Sequence, residues 1–508
     1  MSVDIKNLPN DSEALKKLLL NLHSESQGWK LKYESLLETF KLAQQHRYGA
    51  SSEKNILQDD FFDEADAPIP EDNTSEEEVI VQAHARKKHP KRPKLPEHLP
   101  REVIEYDISD EEKQCACGCQ KERFGEEVSE QLDVIPPQLK VLKHVRPKYV
   151  CKRCEANISV APMPDLLLPK SIAAPGLVAY TITAKYVDHL PLYRQEAIWK
   201  RYGIAIPRNS SCGWLMKTYE LCEPLWLLLG NYVFSWKYVQ ADETPGQVLK
   251  EPGRKDRQKS YIWVYRGGLP NKKAVYFEYQ ETREAKHAQR LLKGFKGYLQ
   301  TDGYRGYDWV DKEPDITHLA CMAHARRPFA ELVKISKKTG KAHEALSLIG
   351  KLYAIEDEAR DNQLTAKERY DLRLEQSVPI LDKIRAWLDR CIEGTPPKGK
   401  LGRGIRYMLD RWEELTHYLK DGNLEIDNNL IENDIRPFAL GKKNWLFAGN
   451  PRGAKAGAVF YSLIKTAQAN GIEPYAYLRY ILERIRGCKV ESDYEMLLPW
   501  NISVDQLK

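Results

Sequence analysis

Three carboxylates stand in three well-separated phrases: Asp242 in YVQADETPGQV, Asp302 in GYLQTDGYRGY and Glu432 in EIDNNLIENDIRPF. Acids that converge from separate elements suit divalent cations, because Mg2+ takes hard oxygen ligands and keeps several waters. Two such cations activate an attacking oxygen and stabilise the leaving oxygen of an in-line displacement at phosphorus. The expected chemistry is therefore phosphodiester cleavage or transfer on DNA, and the basic segments read as the means of holding it.

The elements around the acids must bring them together. Asp242 ends the strand-like run YVQAD, and its neighbour Glu243 should point to the opposite face of a sheet. Asp302 ends another run and is followed by Gly303, which lets the backbone turn near the ions. The third acid is one of Glu425, Asp427, Glu432 and Asp434. Asp427 reads as the N-cap of the helix NNLIENDIRPF. Glu432 lies one turn in, on the face shared with Asn428 and Arg436, while Ile431, Ile435 and Phe438 form the apolar face. A surface ion pair with Arg436 is the ordinary alternative for Glu432.

Two basic phrases flank the acids. In Cys321-Met-Ala-His324-Ala-Arg326-Arg327, His324 is expected to touch the scissile phosphate and the arginines to hold backbone. The Cys-x-x-His pair could be half of a metal site, but the sequence offers no partner for it. The second phrase carries Arg436, Lys442, Lys443 and Trp445, then Gly449-Asn-Pro-Arg452-Gly453-Ala-Lys455. Glycines with Arg and Lys bring N–H groups and cations to a phosphate. Trp445 either stacks on an unpaired base or fills a core.

A separate metal site is expected upstream. Of ten cysteines, five lie within 115–154, which suits reduced thiols and metal better than a disulfide scaffold. Cys151-Lys-Arg-Cys154 is a knuckle for tetrahedral zinc, whose thiolates sit at about 2.3 Å. Its partner half is Cys115-Ala-Cys117-Gly-Cys119, so the expected ligands are Cys115, Cys117, Cys151 and Cys154, with Cys119 as the substitute. Four sulfurs leave no open position, so the ion would be structural; unligated buried thiols are the alternative.

Length and composition set the frame. A chain of 508 residues exceeds one ordinary core, so several domains are expected. The 78 basic and 73 acidic residues nearly cancel, so distribution matters more than the net +5. No apolar run approaches the roughly 18 residues of a membrane span, and no signal peptide is visible. From Leu15 to Arg47 the heptad positions Leu15, Leu22, Trp29, Leu36, Ala43 and Leu19, Ser26, Tyr33, Phe40, Arg47 are mostly apolar. They fit a coiled coil or a helix packed on its own chain. Residues 57–105 read as a linker, acidic through 59–78 and then basic and proline-rich in HARKKHPKRPKLPEHLPR, an extended arm for phosphates. From 165 to 232 the chain reads as helices broken at Pro175, Pro191 and Pro207. Within it, LPLYRQEAIWKRYGIAIPRNSSCGWLMKTY outlines a helix-turn-helix. Its second helix would be capped by Asn209 or Ser210, with Trp214 and Leu215 on the core side; an ordinary helical hairpin fits equally. Strand-like runs alternate with one helix over 236–320, helices fill 325–420, and a second α/β-type segment is expected over 425–487.

Taken together, VQADETPGQV, LQTDGYRGY, LACMAHARRPF, IDNNLIENDIRPFALGKKNWLFAGNPRGAKAGAVFYSLIKTA and LLPWN resemble the insertion sequence 66 family of bacterial transposases, TnpC type. RYGASSEK, LPEHLPREVIEYD, VLKHVRPKYVCKRC and LYRQEAIWKRYGI extend the resemblance over nearly the whole chain. It implies a multidomain α/β protein with an RNase H-like catalytic domain and a DDE triad, here Asp242, Asp302 and Glu432. The 130 positions between the last two imply an all-helical insertion at about 325–420. The implied domains are an N-terminal helix (1–56), linker (57–105), zinc module (106–160), helix-turn-helix region (161–232), catalytic domain (233–487) and tail (488–508). The implied activity is Mg2+- or Mn2+-dependent cleavage and strand transfer on terminal inverted repeats and target DNA. DNA contacts are expected from His324, Arg326, Arg327, Arg436, Lys442, Lys443, Arg452 and Lys455. A homo-oligomer, at least a dimer on DNA, small accessory proteins and a cytoplasmic, nucleoid-associated location complete the expectation.

Overall fold

Tyr238–Gln247 (β1), Lys259–Leu269 (β2) and Lys272–Gln280 (β3) are rich in Tyr, Val, Ile, Trp and Phe, the side chains that pack well on a pleated surface. They form an antiparallel meander, and Gly297–Gln300 (β4) and Ile316–Leu319 (β5) continue the sheet as parallel strands. The order is β3-β2-β1-β4-β5, so the strand that carries Asp242 lies in the middle. The computed structural model describes residues 11–48, 101–104, 129, 131–132, 138–149, 159–162, 164–335 and 339–507. It divides into two compact units, residues 1–70 with 163–508 and residues 71–162.

In the first unit, Ser12–Tyr48 (α1) is one helix of 37 residues. Leu19, Trp29, Tyr33, Leu36 and Phe40 of the heptad are exposed along it. Pro175–Tyr186 (α2), Leu192–Arg201 (α3) and Arg208–Ser235 (α4) follow. The three prolines that read as breaks stand at the helix starts, where the missing N–H costs nothing. Neither Asn209 nor Ser210 caps α4: the helix opens at Arg208, so both are already inside its first turn. Trp214 and Leu215 are buried as expected. At 28 residues, α4 runs well past a recognition helix and packs its length against the sheet.

One edge of the sheet is closed by side chains. Ala285–Leu291 (α5) follows β3 in the chain. Met322–Ile335 (α6), Lys341–Asp361 (α7), Ala366–Leu372 (α8), Val378–Ile392 (α9) and Lys400–Asp410 (α10) come after β5. Asn429–Trp445 (α11), Pro451–Ala469 (α12) and Pro474–Arg484 (α13) lie nearer the C-terminus. Ser462, Thr466 and Asn470, at helical spacing along α12 and its cap, accept the N–H groups of Phe277, Val275 and Lys273 at 2.8, 3.0 and 3.1 Å. An open strand edge is thus satisfied and cannot recruit another strand. The expected second α/β segment at 425–487 is helical instead. Its only sheet-like feature among the described residues is a bridge between Val248 and Ala448, because the five strands of 238–319 already form a complete sheet for these helices to cover.

Helices α6, α7, α9 and α10 share a core of their own around Phe329, Trp387 and Met408. At its base Arg373, wholly buried, forks onto Glu356 at 2.7 and 2.8 Å. The same guanidinium donates to the carbonyls of Tyr418, Asp421 and Leu424 at 2.8–3.0 Å, which fixes the return path toward α11. In the second unit, Lys148–Tyr149 pairs antiparallel with Ser159–Val160, and Arg146 donates to the Ala161 carbonyl at 3.0 Å. The five clustered cysteines and the charge-switching linker up to residue 100 lie outside the described residues. No described helix is long and apolar enough to cross a membrane. Replacing Arg373 by Met leaves three carbonyls without their donor and Glu356 with its pairing to Arg369, and should cost about 3–5 kcal/mol in urea denaturation. Arg373→Lys should recover little of it, lacking the planar fork.

Candidate active site

Asp242 does not end its strand. It is the fifth residue of β1, which runs on to Gln247 because β2 keeps pairing with it there. On the other side the ladder with β4 stops at Gln240, and so Asp242 faces a gap between parallel strands. Asp302 lies two residues beyond β4. Its Oδ1 accepts the Tyr304 N–H at 2.8 Å, and Gly303 between them has φ 89°. A Cβ at Gly303 would lie 2.8 Å from the Tyr407 hydroxyl, so glycine is required both by conformation and by space.

The four candidates for the third acid separate cleanly. Glu425 is bound by Arg369 at 2.8 Å. Asp434 is held by Arg266 and Lys465. Asp427 accepts from the Tyr353 hydroxyl and the Asn429 N–H at 2.9 and 3.1 Å. The helix cap itself is Asn428, not Asp427, and its side chain makes no capping bond. Glu432 alone turns toward the other two acids. It is buried on the first turn of α11, and its Oε1 has no hydrogen-bond partner.

The acids feel one another's charge. Burial, then the charges of Asp302, Glu243 and Glu432, push Asp242 well above the usual carboxylate range. Burial also raises Glu432 to about 8, against the opposing pull of Arg327. Glu243 is bound by Arg283 at 2.5 Å and by the Tyr307 hydroxyl at 3.3 Å, and it still feels the charge of Asp302. Asp242 and Glu432 therefore form a cluster that is poorly neutralised by protein and fits a divalent cation chemically.

Two paired glutamines join the elements, and sequence reasoning missed them. Gln240 and Gln300 are register partners across β1 and β4, each two residues before its aspartate. The Gln240 amide donates to Gln300 Oε1 at 2.8 Å and to the Asp427 carbonyl at 3.0 Å. The Gln300 amide donates to the Glu425 carbonyl at 2.9 Å. The repeated Gln-x-Asp in VQAD and LQTD was the available signal. A second missed chain supports Asp302: Asp311 binds His318 Nδ1 at 2.9 Å, and His318 Nε2 meets the Thr301 hydroxyl at 2.9 Å. That hydroxyl accepts the Gly303 N–H at 3.3 Å.

His324 sits on the first turn of α6 with Nδ1 3.5 Å from Glu432 Oε1, and burial lowers it to about 4. Cys321, His324 and Glu432 bring ligand atoms within 4.8 Å of one another, so the Cys-x-x-His pair does have a partner. Cys321 Sγ also accepts the Asn428 N–H at 3.2 Å. Arg327 and Arg436 lie close enough to Glu432 to favour its charged form, against the effect of burial. Lys442 donates to the Pro245 carbonyl at 3.1 Å, and Lys443 is exposed on the same helix. Three expected DNA contacts are engaged elsewhere. Arg326 is buried, Arg452 pairs with Glu220 of α4, and Lys455 pairs with Glu223 at 2.7 Å.

Family models and known proteins match most of the chain. Residues 170–456 match the Transposase IS66 family, and residues 462–500 match the IS66 C-terminal element. Residues 112–155 match the zinc-finger binding domain of transposase IS66, and residues 35–104 the Transposase C of IS166 homeodomain. Uncharacterized protein y4jD of Sinorhizobium fredii is 35% identical over 430 residues, which cover 81% of this chain and 82% of that protein. Uncharacterized protein y4qI of the same organism is 31% identical, with both chains covered in full.

A raised carboxylate pKa weakens the folded state once the unfolded chain ionises. Metal-free protein should therefore lose stability from about pH 4.5, the ordinary glutamate value, up through about 8. Glu432→Gln should match the parent in thermal melts near the acid end and melt progressively higher above it. Added Mn2+ should raise the melting temperature of the parent and leave the variant unmoved. Equal pH dependence in both proteins would contradict the shared charge of the cluster. Gln300→Leu, which frees the Glu425 carbonyl, should cost about 1–3 kcal/mol of stability and weaken the Mn2+ response.

Proposed function

This chain belongs to the insertion sequence 66 family of transposases, and we propose that it cuts and joins DNA at Asp242, Asp302 and Glu432. The observation that carries the reading is Glu432. Of four acids in its neighbourhood, it is the one whose Oε1 is buried without a hydrogen bond, and its charge acts together with those of the two aspartates. The strand order β3-β2-β1-β4-β5, with one acid on β1 and another just past β4, supports an RNase H-like catalytic domain. Helices α6 to α10 are then an insertion between its second and third acids.

Mg2+ or Mn2+ held by the three carboxylates would supply Lewis-acid charge and a more acidic bound water. The protein's own residues do the rest. Gln240 and Gln300 keep the acids in register, and Gly303 lets the Asp302 loop approach closely. His324, largely neutral at pH 7, stands beside Glu432 to hydrogen-bond the scissile phosphate or the water. Arg327 and Arg436 balance the phosphate's charge, and Lys442 and Lys443 extend the cationic track along α11. Water first cuts at the element's end and releases a 3′-hydroxyl. That hydroxyl then attacks a phosphodiester of target DNA, so one bond forms as another breaks and no covalent protein intermediate is needed.

The flanking parts serve recognition. Zinc on Cys115, Cys117, Cys151 and Cys154, with Cys119 as substitute, would fold a module for the terminal inverted repeats. The basic arm and the α3–α4 hairpin would assist it. The exposed apolar heptad of α1 suits pairing of two copies, which joining two ends requires. The site of action is then the bacterial nucleoid, with accessory proteins of the same element as possible partners.

Asp242→Asn and Glu432→Gln should each lower cleavage of labelled element ends by at least about 10²–10³-fold while end binding persists in gel shifts. Cleavage without strand transfer in the parent protein would assign a nuclease instead. Metal analysis should find about one zinc per chain, and Cys151→Ser should release it with loss of end binding.

A further inference from the structure

Beyond Asp242 on the same strand lies a cavity of about 170 Å3 that the reaction above does not use. Several aromatic side chains line it, among them Tyr186, Tyr261, Phe438, Trp445 and Phe447. One cation reaches it. Lys185 of α2 holds its ammonium 5.2 Å from the Tyr186 ring centre and 5.5 Å from that of Trp445. Among the described residues no carboxylate pairs with Lys185, and burial lowers its amine to about 8. A lysine largely removed from water without an anion is costly, and a gap in an apolar core would not contain one.

Two further features face the same space. Gly449 and Gly453 line the cavity at the start of α12, where Asn450 accepts the Gly453 N–H at 2.8 Å. The first turn of a 19-residue helix favours a negative group. At the mouth, Leu446 is held at φ 64°, a conformation uncommon for a residue with a side chain, and both Leu446 and Phe447 are exposed. This strap is tied to the end of β1: the Ala448 N–H donates to the Gln247 carbonyl and the Leu249 N–H to the Ala448 carbonyl, both at 2.9 Å. Gly246, also in the lining, lies four residues past Asp242, about 13 Å along the strand.

An aromatic wall takes the flat face of a base, while an unpaired ammonium and a helix start take a phosphate. We propose that this cavity receives one unpaired nucleotide of the bound DNA, its base against Trp445 and Phe447 and its phosphate at Lys185 and the start of α12. The proposal rests on DNA being the substrate of Asp242, Asp302 and Glu432. It adds that the DNA is unstacked near the point of cleavage, which selects for ends that open easily.

The test uses the full-length chain without added divalent cation, so that nothing is cut. Two kinds of probe are compared: a blunt duplex of the element's end, and a set of the same duplex with an unpaired 2-aminopurine nucleotide at each of the positions one to three nucleotides from the cleavage position. The parent protein should bind at least one unpaired probe more tightly and change its fluorescence. Phe447→Ser, at an exposed position, and Lys185→Met should each cut that preference by about tenfold, within the worth of one stacked base. Blunt-duplex binding should stay within about twofold, and Lys185→Met should flatten the salt dependence by about one phosphate contact. Thermal melts check that both variants fold. An unchanged preference in both folded variants, or an equal loss on the blunt duplex, overturns the cavity's role. A parent protein that cuts and joins ends but shows no preference for any unpaired probe also removes it, and leaves the transposase reading standing. A parent protein that binds neither kind of probe overturns both.

Discussion

The site depends on one buried contact, the pairing of Gln240 with Gln300. Parallel strands β1 and β4 set these residues side by side, and each holds an aspartate two positions further along. Their amide groups are not spent on each other alone. They also reach the carbonyls of Asp427 and Glu425, the segment that leads into α11. Tyr238 adds its hydroxyl, donating to Gln300 at 2.5 Å and accepting the Glu425 N–H at 3.3 Å. Buried amides demand such partners. Satisfying them forces the chain, after the long helical excursion, to return to the same end of the sheet.

That return path is secured from the other side as well. Arg373 gathers Tyr418, Asp421 and Leu424, and the Met322 N–H donates to the Ile426 carbonyl at 3.2 Å. The helical layer is therefore more than an appendage, because it clamps the residues that aim Glu432. Competing acids are removed by partners of their own: Arg369 for Glu425, Arg266 and Lys465 for Asp434, Arg283 for Glu243. What remains at the gap is a cluster with excess negative charge and raised pKa values, unfavourable for the protein alone and suited to a divalent cation.

The same strand links this cluster to the aromatic cavity. β1 passes from Asp242 to Gly246, and the Leu446–Ala448 strap joins its end. A chain of phosphates lying along α11 would meet Arg436, Lys442 and Lys443 before it reached Lys185. The acid cluster and the cavity thus lie on one strand, which would suit the proposed substrate, whose backbone must be gripped while one base leaves the stack.

Much of this was legible in the residues. Periodicity marked the five strands and the long helices, and prolines marked three helix starts. The order of Asp242, Asp302 and Glu432 in characteristic phrases carried the family, because local pattern and residue chemistry are written along the chain. The caps at Asn209, Ser210 and Asp427 were misread, since a cap is decided by where backbone turns, within a residue or two. Tertiary structure alone decided the rest. Only folding could bring Cys321 and His324 to Glu432, turn Arg452 and Lys455 away toward Glu220 and Glu223, and link Asp311, His318 and Thr301 behind Asp302. Sequence orders such groups along a line, whereas proximity between positions from 7 to 232 residues apart is set by how strands register and helices pack.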